Sequence, residues 1–259
     1  MQENKALVLE AYSALFVEFD REKVASMLAD DYVQHNPGVP TGLAPILEVL
    51  PVLKESGLTP TIHRVIAEGD LVALHVTYDN AQFFGAPTLI AFDIFRVENG
   101  LVAEHWDNLQ APPAETASGR SMTDGPTVIT GMEKAASNKA VVAGFIDAVF
   151  LGGGLDAAAD YIDSDPSAYK QHNPLVPDGL SSLGQALTSL AEQGQAWTFS
   201  KLHMAIAEGN FVLTVTEGRA GDAPTAFYDL WRLEDGKIVE HWDVISAIPD
   251  EMAHENGKF

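Results

Sequence analysis

Apolar side chains at Val8, Tyr12, Leu15, Phe16 and Phe19 follow the spacing i, i+4, i+7, i+8, i+11 and predict an amphipathic first helix. Residues 21–29 read as a short second helix and 43–54 as a third, whose regularity Pro45 and Pro51 limit. After Thr59-Pro60 the period falls to two. Strands rich in Val, Ile, Leu and Phe are predicted near 61–67, 71–79, 88–97 and 102–110, turned at Glu68-Gly69-Asp70 and at Glu98-Asn99-Gly100. Three helices followed by an antiparallel sheet give an α+β layout in which the sheet wraps the helices.

The pattern then recurs. Gln34-His35-Asn36-Pro37 returns as Gln171-His172-Asn173-Pro174, and Glu104-His105-Trp106-Asp107 returns as Glu240-His241-Trp242-Asp243. Ile66-Ala67-Glu68-Gly69 and Ile206-Ala207-Glu208-Gly209 lie between them in the same order. A tandem duplication is expected, with domains at 1–111 and 134–259. The Pro-, Gly-, Ser- and Thr-rich segment 112–133 is expected as an extended linker. The two copies are expected to pack as an internal pseudo-dimer about a pseudo-two-fold axis, with further homodimerisation optional.

Composition narrows the partners. At 259 residues with 46% apolar residues the chain can bury two cores, and 37 acidic against 15 basic residues give a formal charge of −22. Such a charge repels phosphate backbones and anionic lipid heads, so neither nucleic acid nor membrane is expected as a partner. There is no cysteine for disulfides, thiolate nucleophiles or Cys-ligated zinc. With no signal-peptide pattern and no long apolar run, a cytoplasmic location is the expectation.

The order helix, helix, Tyr-x-Gln-His-Asn-Pro, helix, then strand Asp-x-Phe-Arg, a Gly turn and Glu-His-Trp-Asp resembles the SnoaL-like branch of the NTF2-like superfamily. The nearest group is that of the predicted SnoaL-like aldol-condensation proteins. Both copies show the resemblance, most closely the second, through Asp178-Gly179-Leu180 and Phe227-Tyr228-Asp229-Leu230. It implies two tandem cone-shaped α+β barrels, each with a small-molecule cavity between sheet and helices. The scaffold hosts polyketide cyclases, ketosteroid isomerases, dehydratases and non-catalytic binding modules, so chemistry has to be read from the site.

If Asn99-Gly100 and Asp235-Gly236 are two-residue turns, Asp93 shares a sheet face with Phe95, Glu104 and Trp106, and His105 and Asp107 share the other. A bulged turn would shift this pairing by one and regroup the sets. His105 and Asp107, like His241 and Asp243, alternate onto one face and can form an acid–base pair. The resemblance implies an acid/base role for an aspartate near this segment in aldol ring closure without a cofactor, carried here onto Asp107 and Asp243. The alternative is a structural strand with Trp in the core and the charged residues at an inter-domain face.

Proline-pinned His35 and His172 are candidates for the cavity mouth, or else loop-packing histidines. Tyr32, Gln34, His75, Asp93 and Trp106, with Tyr169, Gln171, Asp229 and Trp242, are expected to line the two cavities. Mid-strand Asp93 and Asp229 need a His or Arg partner or a place in the cavity. His63 and His203 recur between copies and read as half-buried strand residues or functional ones. His75 aligns with Val215, which argues against an essential proton carrier there. His35, His105 and Asp107 would make a metal set only by converging, and without short His-x-His spacing neither metal nor cofactor is expected. A cofactor-independent lyase, isomerase or cyclase acting on a carbonyl compound is the leading expectation, with Asp107, His105 and His35 in one copy and Asp243, His241 and His172 in the other supplying proton transfer. A non-catalytic small-molecule binding module is the rival.

Overall fold

The stripe that begins at Val8 folds as α1 (Gln2–Ser13) and continues through one π turn at Ala14–Glu18. The computed structural model describes residues 1–163, 165 and 167–259. Asp20 caps α2 (Arg21–Met27), its Oδ1 accepting from the backbone N–H groups of Glu22 and Lys23, both at 3.0 Å. Helix α3 (Leu43–Ser56) runs through Pro51 and ends at Gly57, whose φ of 72° suits glycine. Tyr12, Leu15, Leu50 and Leu53 from these helices join Val72, Leu74 and Phe95 of the sheet in one core.

Residues 28–34, expected as the end of a helix and a loop, form a strand instead. This strand, β1 (Leu28–Gln34), has Leu28, Tyr32 and Gln34 buried, and the exposed Asp30-Asp31 pair breaks the alternation that would have revealed it. With β2 (Thr59–Glu68), β3 (Leu71–Asp79), β4 (Thr88–Glu98) and β5 (Leu101–Gln110) it makes a sheet of order β1-β5-β4-β3-β2. The sheet is mixed. Strands β2 to β5 are antiparallel as expected, while β1 pairs with β5 in parallel, setting Gln34 against His105.

The second half repeats the architecture. Helix α4 (Ala135–Phe145) runs on into a π turn at Ile146–Leu151, and a 3-10 turn at Leu155–Asp160 stands where α2 stood. After β6 (Lys170–Gln171) and α5 (Leu180–Glu192) come β7 (Trp197–Glu208), β8 (Phe211–Ala220), β9 (Ala223–Glu234) and β10 (Lys237–Ala247), in the order β6-β10-β9-β8-β7. Among the described residues no helix is long and apolar enough to cross a membrane.

The final hairpins correct the expected faces. Asn99 and Gly100 have φ of 51° and 79°, and Glu98 pairs with Leu101 as a two-residue turn requires. The register then slips past Ala103, so that Arg96 pairs with Glu104 and Asp93 with Asp107. One extra residue flips every later side chain. Asp93, Phe95, His105 and Asp107 therefore share one face, while Glu104 and Trp106 take the other. Val239 does the same in the second hairpin, setting Asp229 against Asp243.

The chain divides into two compact units. Unit 1 comprises Met1–Ala111 with Pro249–Phe259, and unit 2 comprises Pro112–Ile248. These bounds differ from those expected at 1–111, 112–133 and 134–259. Segment 112–133 packs within unit 2, where Trp242 Nε1 donates to Asp124 O at 2.9 Å and Arg120 pairs with Asp178 at 3.0 Å. The last eleven residues do the equivalent in unit 1: Asn256 Nδ2 donates to Gln34 O at 2.9 Å, and His254 Nε2 lies 3.0 Å from Asn36 O.

Candidate functional site

In each unit the Gln, His and Asn of the first tetrapeptide are bonded to side chains of the second. Gln34 Oε1 accepts from the backbone N–H of His35 (2.9 Å), that of Asn36 (2.8 Å) and from His105 Nδ1 (2.9 Å). The two amide donors identify this atom as oxygen, so His105 Nδ1 carries a proton. Its Nε2 then faces Asp93 Oδ1 at 3.2 Å. A lone pair against a carboxylate oxygen at that distance requires a proton between them, so the pair holds one transferable proton. Asp93 Oδ2 accepts from the Tyr78 hydroxyl at 2.9 Å, yet burial still raises the Asp93 carboxyl above its ordinary range.

Asn36 positions the second carboxylate. Its Oδ1 accepts from Gly38 N–H at 2.8 Å, which turns Nδ2 toward Asp107 Oδ2 at 2.5 Å. Lys258 Nζ lies 3.6 Å from Asp107 Oδ1 and donates to the Asp107 backbone carbonyl at 2.5 Å. Burial pulls this ammonium below the usual lysine range, although Asp107 pulls the other way.

Tyr32, Gln34, Asn36, Tyr78, Asp93, His105 and Asp107 all line a cavity of about 60 Å³, whose remaining walls are apolar side chains such as Phe16, Ile46 and Leu53. The Tyr32 hydroxyl has no hydrogen-bond partner among the described residues. Burial, with Asp107 and Asp93 nearby, raises it well above an ordinary phenol, and it remains a donor.

Unit 2 repeats these contacts with different surroundings. Gln171 Oε1 accepts from His172 N–H, Asn173 N–H and His241 Nδ1, each at 2.9 Å; His241 Nε2 faces Asp229 Oδ1 at 3.0 Å; and Asn173 Nδ2 donates to Asp243 Oδ2 at 2.6 Å. At the position of Tyr78, four residues beyond the partner of the strand aspartate, stands Gly218. Asp229 Oδ2 is consequently buried without a hydrogen-bond partner, and Asp243 Oδ1, like Asp107 Oδ1 in unit 1, is buried without one as well. Burial pushes Asp229 up to about 8 and Asp243 up to about 6, and pulls His241 down to about 4. The cavity is about 20 Å³, filled around by Phe150, Trp197, Phe199, Phe227 and Trp231.

A Cβ on Gly218 would lie 2.1 Å from Thr198 O and 3.1 Å from Phe227 Cε2. Gly218→Ala is therefore expected to destabilise unit 2 by about 1–3 kcal/mol. An unchanged thermal midpoint would contradict that packing.

Several expected site residues lie elsewhere. His35 and His172 do not line the cavities. They stack on Trp106 (4.9 Å) and Trp242 (4.6 Å), and their Nε2 atoms meet Glu104 and Glu240, both at 2.9 Å. Each Nδ1 faces a backbone carbonyl, of Gly257 at 2.9 Å and of Ser121 at 2.7 Å. These histidines brace the loop, because the bulge has sent Glu104, Trp106, Glu240 and Trp242 to the face away from the cavity. His75 is likewise not a cavity residue: it stacks on Phe92 at 4.4 Å and meets Arg64 at 3.1 Å. His63 and His203 reach Thr77 (2.8 Å) and Glu217 (2.9 Å), outside both cavities.

Asn36, Asn173, Tyr78 and Lys258 were not among the expected residues. The repeated Asn-Pro marked the first two, and the Tyr78/Gly218 difference marked the third. The His35, His105 and Asp107 metal set does not converge. Asp93, His105 and Asp107, and separately Asp229, His241 and Asp243, each bring three donor atoms within 4.8 Å of one another.

A comparison with curated proteins gives no match. Among solved structures, TsrD from Streptomyces laurentii is 24% identical, covering 42% of this chain and 89% of that one at a TM-score of 0.36. IdmH, a candidate polyketide cyclase from Streptomyces antibioticus, is 23% identical over 41% and 91%, at a TM-score of 0.35. A candidate ketosteroid isomerase from Kribbella flavida is 23% identical over 49% and 91%, at a TM-score of 0.37. The model of the SnoaL-like domain matches residues 9–105 and again 142–241. With most of its length matched in this way, the chain belongs to the SnoaL-like family and carries two such domains in tandem.

Proposed function

We propose that the unit 1 cavity takes a carbonyl-bearing small molecule and transfers a proton at the carbon beside the carbonyl, as a cyclase, isomerase or lyase of the acid–base type. One observation carries this reading: Asp107, the Asp93–His105 pair and the Tyr32 hydroxyl face the same apolar cavity. Asp107 takes the proton, the C–H electrons pass to the carbonyl oxygen, and Tyr32 donates a hydrogen bond to the resulting enolate. The proton held between His105 and Asp93 is available to return to carbon or oxygen. A cavity shielded from water strengthens each of these interactions.

Unit 2 has the same triad but room for about one water molecule, which supports unit 1 as the working cavity. The test follows hydrogen–deuterium exchange at the α-carbon by NMR, with a panel of β-ketoesters and of cyclic and aryl ketones in D2O. At least one compound is expected to exchange faster with protein than in buffer, and Tyr32→Phe is expected to slow it by about 10²–10³-fold. Saturable binding without exchange would leave a non-catalytic binding module. Neither binding nor exchange would refute the cavity reading altogether.

A further inference from the structure

We propose that the buried Asp229, His241 and Asp243 cluster of unit 2 binds one divalent first-row metal cation through a carboxylate oxygen of each aspartate and Nε2 of His241. The donor atoms lie within 4.8 Å of one another, and Asp229 Oδ1 is 3.0 Å from His241 Nε2. That separation is the edge between adjacent ligands on an ion with bonds of about 2.1 Å.

The imidazole is prepared for the task. Gln171 Oε1 holds the proton on Nδ1, so the Nε2 lone pair points into the cluster. A ring nitrogen tied to a fixed acceptor is the usual outer support of a metal-binding histidine. Trp231 stacked on the ring at 4.0 Å fixes its plane.

The strongest support is the contrast with unit 1. The same three residue types occur there, but Tyr78 donates to Asp93 and the Lys258 ammonium stands beside Asp107. Unit 2 has Gly218 in place of the tyrosine, and among the described residues the only side-chain donor to Asp243 is the neutral amide of Asn173. Asp229 Oδ2 and Asp243 Oδ1 are left buried without hydrogen-bond partners in residues only 4% and 2% exposed, whereas in unit 1 only Asp107 Oδ1 of the two aspartates lacks one, and it has Lys258 Nζ at 3.6 Å. Two adjacent buried carboxyl groups with no ammonium or guanidinium beside them must either keep protons or take a cation in their place. The cavity they line, about 20 Å³, has room for a single ion or water. Two carboxylates and one imidazole suit Zn²⁺, Mn²⁺ or Fe²⁺.

The full chain, stripped with a chelator, is titrated with Zn²⁺ and separately with Mn²⁺ by calorimetry. A single saturable site is expected, weakened by about 100-fold or more in Asp229→Asn and in Asp243→Asn. Circular dichroism melts of the stripped variants establish that they fold. On wild-type protein loaded with Co²⁺, one exchangeable imidazole N–H resonance, that of His241 Nδ1, is expected at a strongly shifted position. Absence of saturable binding, affinity unchanged in the two folded variants, or no shifted imidazole resonance would each overturn the proposal. Because the readout is binding in unit 2, it is independent of the chemistry proposed for unit 1.

Discussion

Asp107→Asn is expected to lower α-proton exchange in the unit 1 cavity by about 10²–10⁴-fold, the range for loss of a positioned general base. Asparagine keeps the shape of the carboxylate, and its oxygen can still accept from Asn36 Nδ2, now 2.5 Å from Asp107 Oδ2. The change also leaves the buried Lys258 ammonium without the carboxylate 3.6 Å away, and is expected to cost on the order of 3 kcal/mol of stability. What it removes is the lone pair able to take a proton. Exchange kinetics and a thermal melt on the same preparation separate the two effects. Full exchange in a folded Asp107→Asn protein would remove Asp107 from the mechanism.

Gln34→Leu is expected to produce the largest loss of stability in unit 1. Three N–H groups converge on Gln34 Oε1, and of these the His35 amide also reaches His105 O at 2.9 Å. Leucine at position 34 leaves the Asn36 amide and His105 Nδ1 without their acceptor. An orphaned buried donor costs about 1–3 kcal/mol, so the pair costs roughly 2–6 kcal/mol. The thermal midpoint is expected to fall by on the order of 10 °C. Gln34→Glu retains the accepting oxygen and is expected to recover part of the loss. A leucine variant as stable as wild type would show that Gln34 does not organise the loop.

Much of this site was legible in the sequence, for physical reasons that particular residues illustrate. The apolar stripe from Val8 and the alternation after Thr59 locate elements whose faces are buried, and burial is what periodicity records. Strand β1 escaped because its middle residues, Asp30 and Asp31, are exposed beside a short parallel pairing. The cavity faces were misassigned because Ala103 and Val239 are bulged, and nothing in Val-Ala-Glu or Ile-Val-Glu distinguishes a bulge from regular strand. One residue of slip exchanged Trp106 for His105 at the cavity.

The repeated tetrapeptides identified the residues that matter without revealing that the Gln, His and Asn of one bind side chains of the other. That pairing follows from Gln34 lying against His105, a contact between strands far apart in sequence. Lys258 was invisible for the same reason: only the folded chain brings it to Asp107. His35 and His172 looked chemical because histidine before Asn-Pro is conspicuous. Their stacking on tryptophan and pairing with glutamate show a bracing role.

The proposed proton-handling site depends on Gln34 fixing which nitrogen of His105 carries the proton. Long-range ¹H–¹⁵N correlation on histidine-labelled protein, with His105 assigned by loss of its signals in His105→Gln, tests this directly. The expected spectrum has the His105 proton on Nδ1, with Nε2 sharing its proton with Asp93. A neutral ring carrying its proton on Nε2, with Nδ1 bare, would contradict it.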